Sequence, residues 1–180
     1  GSLGARSINE AVADLLVRSA RTGKYQHIHG YGQYAKWMPQ LVEEKGLDLK
    51  EHPNIDLREY IHNMPECMAA ADLVICRAGA ITLSELQAQG KASILIPSPN
   101  VAENHQYHNA MALVKRNAAV MIEEKDLTGE VLWNKVEEIF SRPGGAEELG
   151  ANAAKMAIPD ACQRIVKVMH EVLKENRTRR

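Results

Sequence analysis

The chain has 180 residues, 45% apolar and 25% charged, which allows one ordinary domain with a proper core, or one with a small appendage. A formal net charge of −1 argues against a nucleic-acid partner held by phosphate neutralisation, and 4% aromatic content argues against a base-stacking platform. No apolar run approaches the roughly 18 residues that a membrane span needs, and Cys67, Cys76 and Cys162 are too few and too scattered for a disulfide framework or a zinc knuckle, which fits a reducing cytosol.

Gly1-Ser2-Leu3-Gly4-Ala5 reads as a small-residue loop opening a helix over 7–21. Ile8, Ala11, Val12, Leu15 and Leu16 recur there at helical spacing, and Gly23 ends it. The segment reads as a helix with a polar face, not as a secretory leader. Such a loop normally follows a strand, so the sequence reads as a fragment cut just after its first strand. Residues 25–29 alternate as a strand. Gly30-Tyr31-Gly32-Gln33-Tyr34-Ala35 then matches G-x-G-x-x-A. The strand ahead of it is polar through Gln26, His27 and His29, and no acidic residue ends an apolar strand about twenty residues on, which weakens a dinucleotide reading. His27 and His29 share a strand face; with no third ligand, solvent or hydrogen-bond partners suit them better than a metal. A helix is expected over 34–45, ended by Gly46, and a strand over 55–60. A short helix to Ala70 follows, with Pro65 at its first position and Asn63 or Met64 near the cap.

Leu73 to Cys76 is a continuous apolar run, expected to be a strand buried on both faces of a parallel sheet. Arg77-Ala78-Gly79-Ala80 breaks it with small residues, and from Ile81 the period becomes helical until Gly90 closes the helix. A strand, a glycine turn and a helix N-terminus suit an anion, and phosphate is the usual guest. Glu85 lies one turn on, placed to accept hydrogen bonds from a sugar diol. Residues 92–96 form a further buried strand, stopped by Pro97-Ser98-Pro99-Asn100. Glu103-Asn104-His105-Gln106 opens a helix to about Arg116, and 118–122 is a last strand. Helices over 128–140, 145–156 and 160–175 complete the chain, with Thr128 and Asp160 as N-caps and a frayed basic tail over 176–180.

Strands alternating with helices mean an α/β fold, a doubly wound parallel sheet of Rossmann-like type with C-terminal helices. Ligands of such sheets lie outside the carboxyl ends of the strands. Four loops leave those ends here, bringing Ser2, Ile61, residues 80–85 and Gln106 to one edge. Arg77 would either counter an anion's charge or pair with a carboxylate. His105 and His108 are spaced i, i+3, but no carboxylate triad accompanies them. The chain has no Asp-x-Asp metal anchor, which favours stabilising a diphosphate by amides and a helix dipole.

Four stretches carry a family resemblance: Gly-Ser-Leu-Gly-Ala-Arg-Ser-Ile-Asn at 1–9, Tyr-Ile-His-Asn-Met at 60–64, Ala-Asp-Leu-Val-Ile-Cys-Arg-Ala-Gly-Ala-Ile-Thr-Leu-Ser-Glu at 71–85, and Pro-Ser-Pro-Asn with Asn-His-Gln through 97–106. Together they resemble the MurG family, bacterial transferases that add N-acetylglucosamine to lipid I and so make lipid II for peptidoglycan. The resemblance runs through the whole chain. It implies the C-terminal, UDP-GlcNAc-binding half of a GT-B glycosyltransferase, all of 1–180 being one domain, with the N-terminal acceptor domain outside it. By that resemblance Ser2 meets the diphosphate, though Ser2 could instead cap the first helix. The Ile61 backbone pairs with the uracil edge, and Met64 packs near the nucleoside. Ala80, Ile81 and Thr82 offer amides to the phosphates, Glu85 accepts the ribose hydroxyls, and Gln106, with Asn104 or His105, binds the sugar ring. Arg77 is a further candidate on the diphosphate.

The resemblance implies no cofactor and no metal, and a catalytic base on the other domain. Its partners would be UDP-GlcNAc or UDP, and lipid I through the N-terminal half. Its location would be cytoplasmic, on the inner face of the bacterial membrane, with peripheral membrane contact only in the full-length protein. Other readings are a stand-alone nucleotide-sugar-binding subunit of a split glycosyltransferase, as in the dolichol pathway, a UDP-GlcNAc epimerase, for which no acidic catalytic residues are identifiable, and an NAD-binding oxidoreductase built on Gly30 to Ala35.

Overall fold

The structure, a computed structural model, describes residues 3–178 and the side chains of 3–174. The first helix, α1 (Arg6–Thr22), buries Ile8, Ala11, Val12, Leu15 and Leu16, the residues at helical spacing. Gly23 stops it in the left-handed region at φ 62°, its N–H donating to Ser19 O at 2.9 Å. The chain continues through β1 (His27–Gly30), α2 (Met38–Glu44), β2 (Ile55–Arg58), α3 (Met64–Ala70), β3 (Leu73–Cys76), α4 (Ala80–Gln89), β4 (Ala92–Leu95), α5 (His105–Val114) and β5 (Val120–Met121). Three helices end it: α6 (Gly129–Ser141), α7 (Gly145–Ala154) and α8 (Ala161–Thr178). The Thr128 hydroxyl caps α6 by accepting from the Val131 N–H at 3.1 Å. No helix among the described residues is long and apolar enough to cross a membrane.

All strand pairs are parallel, but among the described residues they form two pieces, β1–β2 and β3–β4–β5, where the sequence predicts one sheet. Helices pack on both faces. One core joins α1, α6 and α7 to Ile55, Ile94 and Ile96, with Leu73 and Ile75 packed against it. The other joins α4 and α5 to Leu95, with Val74 and Cys76 against it. The residues of β3 therefore alternate between two apolar layers. They are half-buried, not fully buried as the apolar run suggests, because among the described residues β3 has a strand partner on one side only.

Other differences also have local causes. The helix expected over 34–45 breaks into a short 3₁₀ turn at Gln33–Ala35 and α2, because Pro39 lacks an N–H and its ring crowds the turn before it. The helix expected from Glu103 begins at His105, since Glu103 and Asn104 take left-handed angles, φ 52° and 51°. The last strand shortens to Val120–Met121, and α8 runs on through Thr178 where a frayed tail is expected from 176. Ile165, Val166, Met169 and Leu173 of α8 are exposed.

Gly32 has a packing role. At φ 83° its backbone lies so close to the chain start that a Cβ would stand 2.2 Å from Gly4 N, while one on Gly4 would stand 2.1 Å from Tyr31 O. Gly32→Ala therefore combines a clash with backbone and a left-handed conformation, and is expected to cost on the order of 2 kcal/mol, read as a fall in the urea midpoint at unchanged slope.

Two histidines fasten α1 to β1. His27 Nε2 lies 2.7 Å from Ser19 Oγ and His29 Nε2 lies 2.9 Å from Asn9 Oδ1. Asn9, itself buried, also donates to Tyr31 O at 2.9 Å. Burial lowers both imidazole pKa values to about 4, and for His29 the neighbouring His27 adds to the shift. The unfolded chain binds protons more readily than the folded one at these sites. Their contribution is thus fully present above the unfolded value of about 6.5 and is lost as pH falls from there toward about 4. Urea midpoints measured across that window should fall steadily with pH; a flat profile would contradict the burial.

Candidate functional site

The carboxyl ends of the strands gather the predicted loops on one edge. At the start of α4, Gly79 holds the N-cap position in extended geometry, φ −71° and ψ 142°, with no side chain capping the helix. Leu83 N–H is the first to bond back into the helix, donating to Gly79 O at 3.0 Å. The amides of Ala80, Ile81 and Thr82 precede it and have no acceptor within the helix, so they present partial positive charge outward, as an anion requires. Ala80 is exposed and Ile81 is 78% exposed, which leaves the helix start open. Glu85 is exposed and lies four residues after Ile81, on the same helix face. The carboxylate thus stands about one turn from the amides.

The loop after β2 brings Ile61 over the end of β1, where a Cβ on Gly30 would lie 3.2 Å from Ile61 Cδ1. Met64, at the start of α3, is 43% exposed beside it. The loop after β4 is braced from within. Gln106 Oε1 accepts from the Ser98 N–H at 2.9 Å, which leaves the amide nitrogen of Gln106 as a donor for another partner. Asn109 Nδ2 donates to Ala78 O at 3.1 Å and ties α5 to the turn before α4. Asn104 and His105 are exposed at the head of α5, and His105 Nδ1 bonds Ala102 O at 3.0 Å. Ser2 lies outside the described residues. The N-cap position of α1 is Ala5, with no side-chain cap.

Arg77 is turned inward. Its guanidinium donates to Ile96 O and Pro97 O, each at 3.2 Å, and to Ser7 Oγ at 3.2 Å, and it pairs with the Glu124 carboxylate. Both side chains of that pair are about one-quarter exposed, 25% and 23%. One residue thereby joins the ends of β3 and β4, the first turn of α1 and the loop after β5. That fifth loop is what sequence reasoning missed. The strand read over 118–122 announced a strand end just before Glu124, but only the pairing with Arg77 brings the loop after it to the site. A cavity of about 420 Å³ opens here, lined in part by Ser98, Asn104, Tyr107, Glu124 and Lys125, next to Gln106. A larger hollow of about 510 Å³ lies between α1 and α2 around Trp37. Helix surfaces line it and no strand end does, so it lacks the convergent amides of the α4 start.

Cys76 precedes Arg77, and burial pushes its thiol up to about 12, so it is no nucleophile near neutrality. Among the described residues, no three His, Cys, Asp or Glu side chains are grouped as a metal would require.

Comparison with known proteins gives a consistent set of relatives. The sequence model of the glycosyltransferase family 28 C-terminal domain matches residues 1–165. A curated protein of Desulforamulus reducens, named UDP-N-acetylglucosamine–N-acetylmuramyl-(pentapeptide) pyrophosphoryl-undecaprenol N-acetylglucosamine transferase, is 39% identical over 96% of this chain and 47% of its own length. Its namesake from Bacillus cytotoxicus is 41% identical over 97% of this chain and 47% of its own. The crystal structure of Acinetobacter baumannii MurG matches with a TM-score of 0.77 at 27% identity, covering 95% of this chain and 48% of that one. The glycosyltransferase VinC, solved in complex with dTDP, matches at 0.62 and 15% identity over 94% of this chain and 40% of that one, a likeness of fold alone. The chain spans about half the length, 47%, of the curated relatives it matches.

Proposed function

The chain belongs to the glycosyltransferase family 28 C-terminal domain family, and from that premise we propose that it is the donor-binding half of a UDP-N-acetylglucosamine-dependent transferase that converts lipid I to lipid II. One observation carries the reading: three unbonded amides at the start of α4 stand one turn from the exposed carboxylate of Glu85. Diphosphate and ribose are joined at about that spacing in a nucleotide sugar. The amides of Ala80, Ile81 and Thr82, with the Thr82 hydroxyl, hold the diphosphate, and Ser2, which lies outside the described residues, is a further candidate for it. Glu85 accepts from the ribose hydroxyls. The Ile61 backbone reads the uracil edge, with Met64 beside the nucleoside. The amide nitrogen of Gln106, with Asn104 and His105 nearby, takes hydroxyls of the sugar. Arg77 acts by holding these loops in place, not by touching the donor.

In the reaction of the whole enzyme the C4 hydroxyl of the muramyl sugar attacks the anomeric carbon of the donor. A bond forms between that oxygen and the anomeric carbon, and the bond from the carbon to the β-phosphate oxygen breaks with inversion. UDP carries away the electron pair, and a base on the other half takes the acceptor's proton. This chain contributes leaving-group stabilisation through a helix dipole and amides. It works as one domain, at the cytoplasmic face of the membrane, with the other half meeting the lipid.

The chain alone is expected to bind UDP and UDP-GlcNAc without turnover. Calorimetric titration tests this: saturable binding of both supports it, and a folded chain that binds neither contradicts it. Binding of NAD with none of UDP would move the site to Gly30–Ala35.

A further inference from the structure

The segment that leads into Gln106 is written in the sequence for one conformation and built in another. Asn100-Val101-Ala102-Glu103 is a helix-start signature, an N-cap residue followed three positions on by a glutamate. In that arrangement each of the two side chains accepts from a backbone amide near the other. Ala102 and Glu103 are also strong helix formers. By these local signals α5 starts at Val101. In the structure it starts at His105, one turn later.

The difference lies in two consecutive left-handed residues, Glu103 (φ 52°, ψ 21°) and Asn104 (φ 51°, ψ 32°). Among the described residues Asn117, at φ 50°, is the one further non-glycine with positive φ. Asparagine tolerates that region, whereas for glutamate it is disfavoured roughly tenfold. Glu103 is exposed, and among the described residues its carboxylate has no hydrogen bond or ion pair to offset the cost. The Asn100 side chain is exposed and unbonded there too, so both halves of the cap are idle. Two hydrogen bonds favour the short helix: Ser98 N–H to Gln106 Oε1 at 2.9 Å, and His105 Nδ1 with Ala102 O at 3.0 Å. Each is worth roughly fivefold in an equilibrium, so the opposing effects are comparable.

We propose that the loop before α5 exchanges between these two forms, and that Glu103 is the positioning residue that sets their ratio; the use made of the loop rests on the donor reading above. In the short-helix form Ser98 holds Oε1 of Gln106 and leaves Nε2 for a hydroxyl, with Asn104 and His105 beside it. In the long-helix form Asn100 caps α5, residues 101–104 join the helix, and the loop no longer folds back from Ser98 to Gln106. Only the short form holds Asn104, His105 and Gln106 ready for the sugar of a nucleotide sugar. The contacts to diphosphate and ribose lie on α4 and do not sense the exchange. A donor is therefore bound at the expense of the longer helix, and a nucleotide without a sugar is not.

The test compares Glu103→Gly and Glu103→Val with the unsubstituted chain. Glycine enters the left-handed region freely and is a poor helix former, so it favours the short form. Valine, being β-branched, is excluded from that region and favours the long one. In calorimetric titrations glycine should tighten UDP-GlcNAc roughly threefold and valine should weaken it roughly tenfold, with UDP held within about twofold throughout. Relaxation dispersion of the amides of residues 101–106, recorded without ligand, should show exchange in the unsubstituted chain and none in the glycine variant. Equal ratios of UDP-GlcNAc to UDP affinity in all three proteins, or losses in both variants, would overturn the proposal. So would an unsubstituted chain without that exchange. A chain that exchanges yet binds neither ligand would overturn the donor reading, and the sugar's part with it, while establishing the two forms.

Discussion

Glu85→Ala is expected to weaken UDP binding on the order of a hundredfold while leaving the binding of bare pyrophosphate unchanged. A carboxylate that accepts from both hydroxyls of a ribose makes two charge-assisted hydrogen bonds, about 1.5–3 kcal/mol each before desolvation of the carboxylate is deducted. A net loss near 3 kcal/mol corresponds to roughly a hundredfold in affinity. The substitution is safe for the fold, because Glu85 is exposed and alanine is the better helix former. Pyrophosphate lacks the diol and meets only the amides, which alanine does not alter. If anything it should bind slightly better without a nearby negative charge. Equal losses for the two ligands, measured by calorimetry, would show that Glu85 is not the ribose clamp.

Arg77→Ala should instead be a stability mutant, lowering the melting temperature by about 10 °C. Removing the guanidinium strands the Glu124 carboxylate, which is three-quarters buried, and leaves Ile96 O and Pro97 O without their side-chain donor. Breaking one side of a largely buried pair costs about 3 kcal/mol or more, and in a domain of this size each kcal/mol moves the melting point by about 2–4 °C. The double variant Arg77→Ala with Glu124→Gln should recover part of the loss, because the stranded charge is gone. UDP affinity should fall only modestly, through looser loops at Ser98 and Gln106. A large loss of UDP affinity with an unchanged melting temperature would instead put Arg77 on the diphosphate.

Much of this could be read in the sequence, because local signals and tertiary structure agree. Leu73–Cys76 is a strand with the predicted bounds, Gly23 and Gly90 close their helices in the left-handed region, and Thr128 caps α6. The turn from β3 into α4 was legible, since small residues between an apolar run and a helical period leave few alternatives. What was not legible depends on contacts distant in sequence. Nothing near Gly32 announces that it must admit Gly4, 28 positions away, and the formal G-x-G-x-x-A match concealed a packing role. Arg77 and Glu124 lie 47 positions apart, and no spacing rule reaches that far. The break at Pro39 is a local signal, since a proline inside a helical stretch marks a break, and the helix expected over 34–45 ran through it. The left-handed pair Glu103 and Asn104 was hidden because both are ordinary helix or cap residues.

Donor binding is centred on one place, the start of α4. The most direct measurement is amide chemical-shift mapping of the isotope-labelled chain during titration with UDP. It predicts the largest perturbations at Ala80, Ile81 and Thr82, with smaller ones at Ile61 and Glu85 and little at Gly30–Ala35 or around Trp37. Large shifts in the Gly30–Ala35 segment or the Trp37 hollow, with the 80–82 amides unmoved, would contradict it.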